Sequence, residues 1–251
     1  MTTLLEVCVD SLASARAATL GGADRLELCS ALMAGGLTPY TALLDQIRAE
    51  SAIPIRCLMR PRAGDFLYAP EEIHMMAAQI TELRSHGADG FVIGCLRPDG
   101  TLDEAALAPL LAAAQGTGLT LHRCMDVSRD LEETYRSAHR LGFDTVLTSG
   151  GAANCREGAG TIGRLLALRD ELGGPEILIG AGVSAAVIQE LRLRFPQACQ
   201  FHMSGKKEVE SAMVFRRQGV PMGLPGLDEW HIQQTDAQAV RRAKAVLDQP
   251  L

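Results

Sequence analysis

Short apolar segments alternate with longer amphipathic segments along almost the whole chain. Eight of the short segments have the length and the branched or aliphatic content that is typical of buried strands. They cover residues 4–9, 25–29, 55–59, 90–94, 119–123, 145–148, 176–180 and 200–204.

The longer segments repeat apolar residues at helical spacing, and each follows one of the predicted strands. They cover residues 13–20, 40–50, 70–86, 102–114, 131–141, 160–172, 185–195 and 236–247. Eight such βα units predict an α/β fold, a (β/α)8 TIM barrel built as a single domain over residues 1–251. An open doubly wound sheet has the same units, but no strand here is followed by a dinucleotide-binding glycine pattern.

One segment, residues 205–235, departs from this alternation and is too long for a simple loop. It contains Pro221, Gly223, Pro225 and Gly226, which interrupt regular structure. We predict that this segment covers the mouth of the barrel or contacts a neighbouring subunit.

The composition is that of a folded globular chain, and its charge favours a small ligand over a nucleic acid or a membrane surface as the partner. Of the 251 residues, 47% are hydrophobic and 22% are charged, which is ordinary for a protein with a large core. A net charge of -6 gives no basic surface for nucleic acid or for anionic lipid, so neither is expected as a partner.

The sequence gives no indication of export or of membrane insertion. Its first residues lack the basic start and the apolar stretch of a signal peptide, and no run of about 18 apolar residues occurs. Seven cysteines, an odd number spread over the chain, are typical of free thiols in a reducing compartment. We therefore expect a cytoplasmic protein.

A repeated Glu-x-Cys pattern in the first two strands is the least ordinary feature of the sequence. Side chains alternate along a strand, so Glu6 and Cys8 share the face opposite to the apolar residues that suit the surrounding helices. The same alternation places Glu27 and Cys29 on the inward face of the next strand. Because a barrel interior is usually filled by aliphatic layers, two carboxylates and two thiols there indicate a site.

Three interpretations of this pattern remain open. Cys8 and Cys29 can share a soft metal ion such as Cu(I), or Zn²⁺, if the stagger of the two strands allows it. Glu6 or Glu27 can act as a general acid or base whose pKa is raised by burial. Otherwise the cysteines only fill space and each glutamate pairs with an arginine.

Further polar residues stand at the ends of strands 3, 5 and 8. Arg60 and Arg62 follow strand 3, where a guanidinium can hold a carboxylate or phosphate, or neutralise nearby carboxylates. By alternation, His122 in strand 5 and His202 in strand 8 face inward as candidate acids, bases or ligands.

Short turns that contain glycine follow the last strands. Gly182 comes after strand 7 and Ser204 after strand 8, where many barrels bind phosphate through backbone N–H groups. A tight turn explains either residue alone, but together with Arg60 and Arg62 they form a candidate anion site.

These residues lie in motifs that resemble the CutC family of copper-homeostasis proteins, from strand 1 to beyond strand 8. The motifs are Glu6-Val-Cys8, Gly22-Ala-Asp-Arg-Leu-Glu-Leu-Cys29, Gly35-Gly-Leu-Thr-Pro39, Arg60-Pro-Arg62, Gly64-Asp-Phe-Leu-Tyr68, His122-Arg123, Leu147-Thr-Ser-Gly150 and Gly180-Ala-Gly182. The resemblance implies a TIM barrel, a cytoplasmic homo-oligomer, and Cu(I) bound by Cys8 and Cys29. The chain departs from the family pattern at Ala63, where glycine is usual, and at Cys124, which adds a thiol near His122.

Two functions follow from these observations. The first is a copper-homeostasis protein that binds Cu(I) through Cys8 and Cys29. The second is an enzyme that acts on a small phosphorylated or carboxylated metabolite and is linked to copper tolerance only indirectly. Its candidate acid–base residues are Glu6, Glu27, His122 and His202, with the arginines as an anion clamp.

Overall fold

The eight predicted strands form a closed barrel. The computed structural model of the chain describes residues 3–220, 222 and 229–250, and in this part each strand pairs in parallel with the next, and the eighth with the first. The strands are β1 (Leu4–Val9), β2 (Arg25–Leu28), β3 (Ile55–Leu58), β4 (Gly90–Ile93), β5 (Gly118–Leu121), β6 (Thr145–Thr148), β7 (Glu176–Ile179) and β8 (Gln200–Met203). The TIM-barrel prediction is confirmed, with strand ends that differ by one or two residues.

Eight α-helices surround the barrel in the described part of the chain. They are α1 (Leu12–Gly21), α2 (Thr41–Glu50), α3 (Pro70–Ser85), α4 (Glu104–Ala113), α5 (Leu131–Arg140), α6 (Ala159–Leu172), α7 (Ala185–Arg194) and α8 (Ala237–Leu247). Two short 3-10 helices, Leu32–Ala34 and Arg123–Val127, follow β2 and β5. None of the helices described is both long enough and apolar enough to pass through a bilayer.

Local sequence determines where the helices begin and end. The carboxylate of Asp130 accepts hydrogen bonds from the backbone N–H groups of Glu132 and Glu133, which fixes the start of α5. Gly22 ends α1 in the left-handed conformation, with φ at 91°, which glycine adopts without steric cost. The chain can therefore turn directly from α1 into β2.

The main core lies between the barrel and its helices, and it contains fully buried side chains such as Leu5, Phe91 and Phe201. The N-terminal end of the barrel interior is polar instead. Arg56 donates a hydrogen bond to Oγ1 of Thr120 at 2.6 Å and makes an ion pair with Asp144 at 2.7 Å. This partly buried arginine occupies the N-terminal end of the barrel interior.

The segment after β8 forms an antiparallel ribbon of two strands, β9 (Lys206–Glu210) and β10 (His231–Thr235). The backbone N–H of Thr235 donates to the hydroxyl of Ser14 in α1, which attaches the ribbon to the barrel. Of the residues that prompted the prediction for 205–235, Pro221, Gly223, Pro225 and Gly226 lie outside the described residues. The ribbon itself was not predicted, because the sequence of β9 is almost entirely polar and exposed.

Candidate functional site

A cavity of about 590 Å³ opens at the C-terminal ends of the strands. Seven of the ten residues singled out in the sequence line it, namely Cys8, Glu27, Arg60, His122, Gly182, His202 and Ser204. The other three, Glu6, Cys29 and Arg62, do not line the cavity. In a TIM barrel this end of the strands is where substrates and ligands bind.

The pairing register of the strands determines which of these side chains meet. Cys8 of β1 lies directly beside Glu27 of β2, and Glu6 lies beside both Arg25 of β2 and His202 of β8. Neighbouring residues of a parallel pair point to the same side of the sheet. Five polar side chains are therefore grouped inside the barrel where its first, second and last strands adjoin.

Three of these side chains form a group that can hold a metal ion. The thiol of Cys8, a carboxylate oxygen of Glu27 and a ring nitrogen of His202 all lie within 4.8 Å of one another. The Nε2 atom of His202 is 3.9 Å from Oε2 of Glu27. We call Cys8, Glu27 and His202 the donor group.

Glu6 orients the imidazole of His202 from below the donor group. Its Oε1 atom accepts a hydrogen bond of 2.8 Å from Nδ1 of His202, so Nε2 is the ring nitrogen left for the donor group. Burial lowers the pKa of His202, but the neighbouring Cys8, Glu27 and Glu6 together hold this pKa well above its ordinary value. A carboxylate that fixes a histidine in this way is the usual outer partner of a metal ligand.

Arg25 compensates the charge of Glu6, which is fully buried. The Nε atom of Arg25 lies 2.5 Å from Oε2 of Glu6. Burial raises the pKa of Glu6, but Arg25 and His202 outweigh it and lower this pKa to about 2. Glu6 is therefore a permanent carboxylate that positions His202, and the structure gives it no access to the cavity.

Glu27 differs from Glu6 because no arginine pairs with it among the described residues. Burial raises its pKa, His202 lowers it, and the negative charge of Glu6 raises it again, which leaves a pKa of about 7. Of the two glutamates, only Glu27 lines the cavity and is close to changing charge at neutral pH. Glu27 therefore has both its protonated and its ionised form within reach near neutral pH.

Cys29 lies apart from the donor group although it faces the barrel interior. It is fully buried and packs with Leu58 and Val92, and its thiol donates to the backbone oxygen of Val9. Because Cys8 pairs with Glu27, Cys29 is displaced by two residues, roughly 7 Å along the strand. The stagger of β1 and β2 thus places Glu27, and not Cys29, directly beside Cys8.

The two arginines after β3 have different surroundings. Arg62 forms ion pairs with Asp65 at 3.0 Å and Glu72 at 2.7 Å, and it lies outside the cavity lining. Arg60 lines the cavity and donates to the backbone oxygens of residues 34, 36 and 64. Of the four residues of the candidate anion site, Arg60, Gly182 and Ser204 thus share the cavity, whereas Arg62 lies outside its lining.

His122 lines the cavity between β4 and β6. Its Nδ1 atom accepts a hydrogen bond of 3.1 Å from the backbone N–H of Cys124, and its ring lies 4.8 Å from the ring of Phe66. Burial, together with the positive charge of Arg60, lowers the pKa of His122 to about 3. His122 is therefore a neutral imidazole at physiological pH, while the thiol of Cys124 is buried in the main core.

Several residues of the site were not recognised in the sequence. Arg25 lies two residues before Glu27 in β2, so both side chains face the barrel interior. The alternation that identified Glu27 as inward-facing was therefore sufficient to identify Arg25. Phe66 lines the cavity from the loop after β3, and Lys206 lines it from β9, outside the barrel. No hydrophobic periodicity in the sequence predicts that either residue belongs to a site. The Arg123–Asp126 ion pair of 2.7 Å also lies at the rim and was missed because it is local to a 3-10 helix.

Gly94 makes room for His122, and its replacement by alanine is a direct test of the packing. An added Cβ would lie 2.3 Å from the thiol of Cys124 and 2.7 Å from Cε1 of His122. We expect Gly94→Ala to lower the free energy of unfolding by about 1–3 kcal/mol, measured by urea denaturation. Gly160→Ala in α6 is the control, since an added Cβ there meets no atom within 4 Å; a loss as large in Gly160→Ala would contradict the explanation.

The fold and the site together define a class of protein. The chain is a TIM barrel with an open cavity at the C-terminal ends of its strands and a thiol–carboxylate–imidazole group inside it. Solved barrels of low identity share this architecture, among them 3-hexulose-6-phosphate synthase from Salmonella typhimurium, at a TM-score of 0.57 and 15% identity.

Comparison with known proteins identifies the family to which this chain belongs. The profile of the CutC family matches residues 3–206, and the chain belongs to this family. A family protein CutC of Porphyromonas gingivalis is 42% identical over 244 residues, which are 97% of each chain. The human copper homeostasis protein cutC homolog is 38% identical over 97% of this chain and 88% of its own length. A CutC crystal structure from Streptococcus agalactiae has a TM-score of 0.75 and 27% identity, covering 81% of this chain and 99% of that one.

Proposed function

We propose that this chain is a copper-homeostasis protein that binds Cu(I) at the donor group, through the Cys8 thiolate and Nε2 of His202. The observation that carries the proposal is the grouping of the Cys8, Glu27 and His202 donor atoms within 4.8 Å. Relatives named as copper homeostasis proteins supply the biological context. This assignment replaces Cys29 with His202 as the second ligand.

The chemistry of the donor group suits this cargo. Thiolate and imidazole are ligands that Cu(I) favours, whereas a carboxylate is a harder ligand that favours Zn²⁺ and similar ions. His202 presents Nε2 because Glu6 accepts the hydrogen bond from Nδ1, so its orientation is set before an ion arrives. Binding would displace the proton of Nε2. A cytoplasmic location accords with the proposal, because all seven cysteines are free and a reducing compartment preserves the thiols.

The experiment is a titration of the reduced protein with Cu(I) against a chromogenic competing chelator, followed by X-ray absorption of the loaded protein. We expect one ion per chain, with one sulfur and at least one nitrogen neighbour. Zn²⁺ is titrated in parallel and is expected to bind more weakly. Absence of Cu(I) binding, or a site with two sulfur neighbours, would contradict the assignment.

A second candidate function is supported by the size of the cavity. A single ion bound by Cys8 and His202 does not need a cavity of about 590 Å³, and cavities of this volume are typical of small-molecule sites. Arg60, Arg123 and Lys206 give the lining three cationic groups. These observations favour an enzyme or binding protein for a small anionic metabolite, with Glu27 and His202 nearest the bound molecule.

A ligand screen by thermal shift tests this second function directly. Small carboxylic acids and phosphate esters, each at millimolar concentration, are expected to raise the unfolding temperature of the metal-free protein if they occupy the cavity. A null screen across both classes would remove the second function and leave the first intact.

A further inference from the structure

His122 is held in one tautomer by the backbone. Since the N–H of Cys124 donates to Nδ1 of His122, Nδ1 carries no proton and the proton of the neutral ring is on Nε2. This Nε2–H has no acceptor among the described residues, although His122 is only 4% exposed. An unpartnered buried donor in a cavity wall requires an acceptor from a ligand or from water.

Arg60 provides a second set of unused donors beside His122. Of the five guanidinium N–H groups, three donate to backbone oxygens, which leaves two, and the buried Nε–H is one of these. No carboxylate of the described residues forms an ion pair with Arg60, so its charge is uncompensated at the cavity wall. Phe66 contacts both residues, since its ring centroid is 5.2 Å from Cζ of Arg60 and 4.8 Å from the His122 ring.

We propose that the carboxylate of a small-molecule ligand binds between Arg60 and His122, accepting hydrogen bonds from Nε–H of Arg60 and Nε2–H of His122. The proposal rests on the second candidate function and names its substrate class, a small carboxylic acid. The ligand carboxylate lies away from the donor group, because Arg60 and His122 follow β3 and β5 whereas the donor group belongs to β1, β2 and β8. The rest of the molecule then extends toward Glu27 and His202.

The charge at this position favours a carboxylate over a phosphate. Arg60 contributes one positive charge and His122 contributes none, since burial and Arg60 keep its pKa near 3. A phosphate dianion would need a second cation, but Arg123 is already paired with Asp126, and Lys206 is exposed at the rim. A monoanion therefore matches the site, and its planar pair of oxygens matches the separate donors of Arg60 and His122.

The test uses metal-free protein labelled with ¹⁵N-histidine, and acetate, propionate and inorganic phosphate as probes. Long-range ¹H–¹⁵N correlation at pH 7 is expected to show His122 neutral with its proton on Nε2. Acetate or propionate should shift this resonance while that of the exposed His86 stays unchanged. A proton on Nδ1, no response to either carboxylate, or a response to phosphate alone would overturn the proposal.

Variants identify the residues responsible, with calorimetric titration of propionate as the readout. Arg60→Gln and His122→Phe should each weaken binding about tenfold or more, the effect of one hydrogen bond to a charged group. His122→Gln should recover part of the loss through its amide N–H, and Arg62→Gln should bind as the parent does. Equal losses of affinity in Arg60→Gln and Arg62→Gln would overturn the assignment. If His122→Phe does not fold, the response of the His122 resonance in the parent protein decides whether His122 contacts the carboxylate.

Cu(I) titration of the same variants separates this proposal from the proposed copper function. Arg60 and His122 lie outside the donor group, so Arg60→Gln and His122→Gln should keep the Cu(I) affinity of the parent. Cu(I) binding without any carboxylate binding would refute the carboxylate site alone. Carboxylate binding without Cu(I) binding would refute the copper function alone.

Discussion

Replacing Arg25 with methionine is expected to lower the free energy of unfolding by about 3–5 kcal/mol. The substitution leaves the fully buried carboxylate of Glu6 with only His202 to compensate its charge. Urea denaturation followed by circular dichroism measures the change. The exposed pair Arg16–Glu50 is the matched control, because Arg16→Met removes an ion pair that solvent already screens and should leave the midpoint almost unchanged.

The pH dependence of this loss has a definite sign. In the parent protein the pKa of Glu6 is lowered from 4.5 to about 2, so the ionised carboxylate stabilises the fold above about pH 4.5, and that stabilisation is lost as the pH falls toward 2. In Arg25→Met, burial is no longer opposed by Arg25 and the pKa of Glu6 rises. The difference in stability between parent and variant should therefore be larger at pH 7 than at about pH 4. A difference that grows toward acid would refute this account of Glu6.

The double substitution Glu6→Leu with Arg25→Met separates stability from metal binding. Exchanging a buried ion pair for apolar side chains of similar size is often neutral or stabilising, so most of the lost stability should return. His202 then has no carboxylate to orient it, and Cu(I) affinity should fall about 10–100-fold. Unchanged Cu(I) affinity would mean that Glu6 has no positioning role.

Replacing Cys8 with serine is expected to weaken Cu(I) binding by at least about a hundredfold, since loss of an outer-shell partner alone lowers affinity 10–100-fold. The serine hydroxyl is a hard, weak ligand for Cu(I) in place of a soft thiolate. Competition with a chromogenic chelator under reducing conditions measures the affinity.

Cys29→Ser is the matched control for Cys8→Ser, because it makes the same atomic change in a thiol that packs against Leu58 and Val92 outside the donor group. It should keep the Cu(I) affinity of the parent and lose some stability through a buried hydroxyl. If Cys29→Ser reduces Cu(I) affinity as much as Cys8→Ser does, the ion is held by two thiols and His202 is not the second ligand.

The barrel was predictable because the sequence pattern of each strand and helix is contained in that segment alone. Apolar runs of strand length, such as β1 and β6, recur before amphipathic segments, and eight such units have few ways to pack. The ribbon of β9 and β10 was not predictable. Its strands are mostly exposed and have no apolar face, so their sequences lack the alternation of apolar and polar residues that predicts a strand.

The residues of the site were predictable, but their grouping was not. Alternation identified Glu6, Cys8, Glu27 and His202 as inward-facing, which depends only on each strand. Which of them meet depends on the stagger between strands, which is a property of the closed barrel and is not written in any single strand. The register that places Cys8 beside Glu27, and not beside Cys29, is the clearest example.

The donor group and Glu6 connect the first and the last strand of the barrel. Glu6 and His202 are 196 residues apart in sequence, and they meet only where the last strand of the barrel adjoins the first. A chain still being synthesised has Cys8 and Glu27 early but lacks the imidazole until β8 has emerged and the barrel has closed. The donor group therefore forms only when the barrel closes, and an ion bound by Cys8 and His202 would link β1 to β8 and so favour the closed barrel.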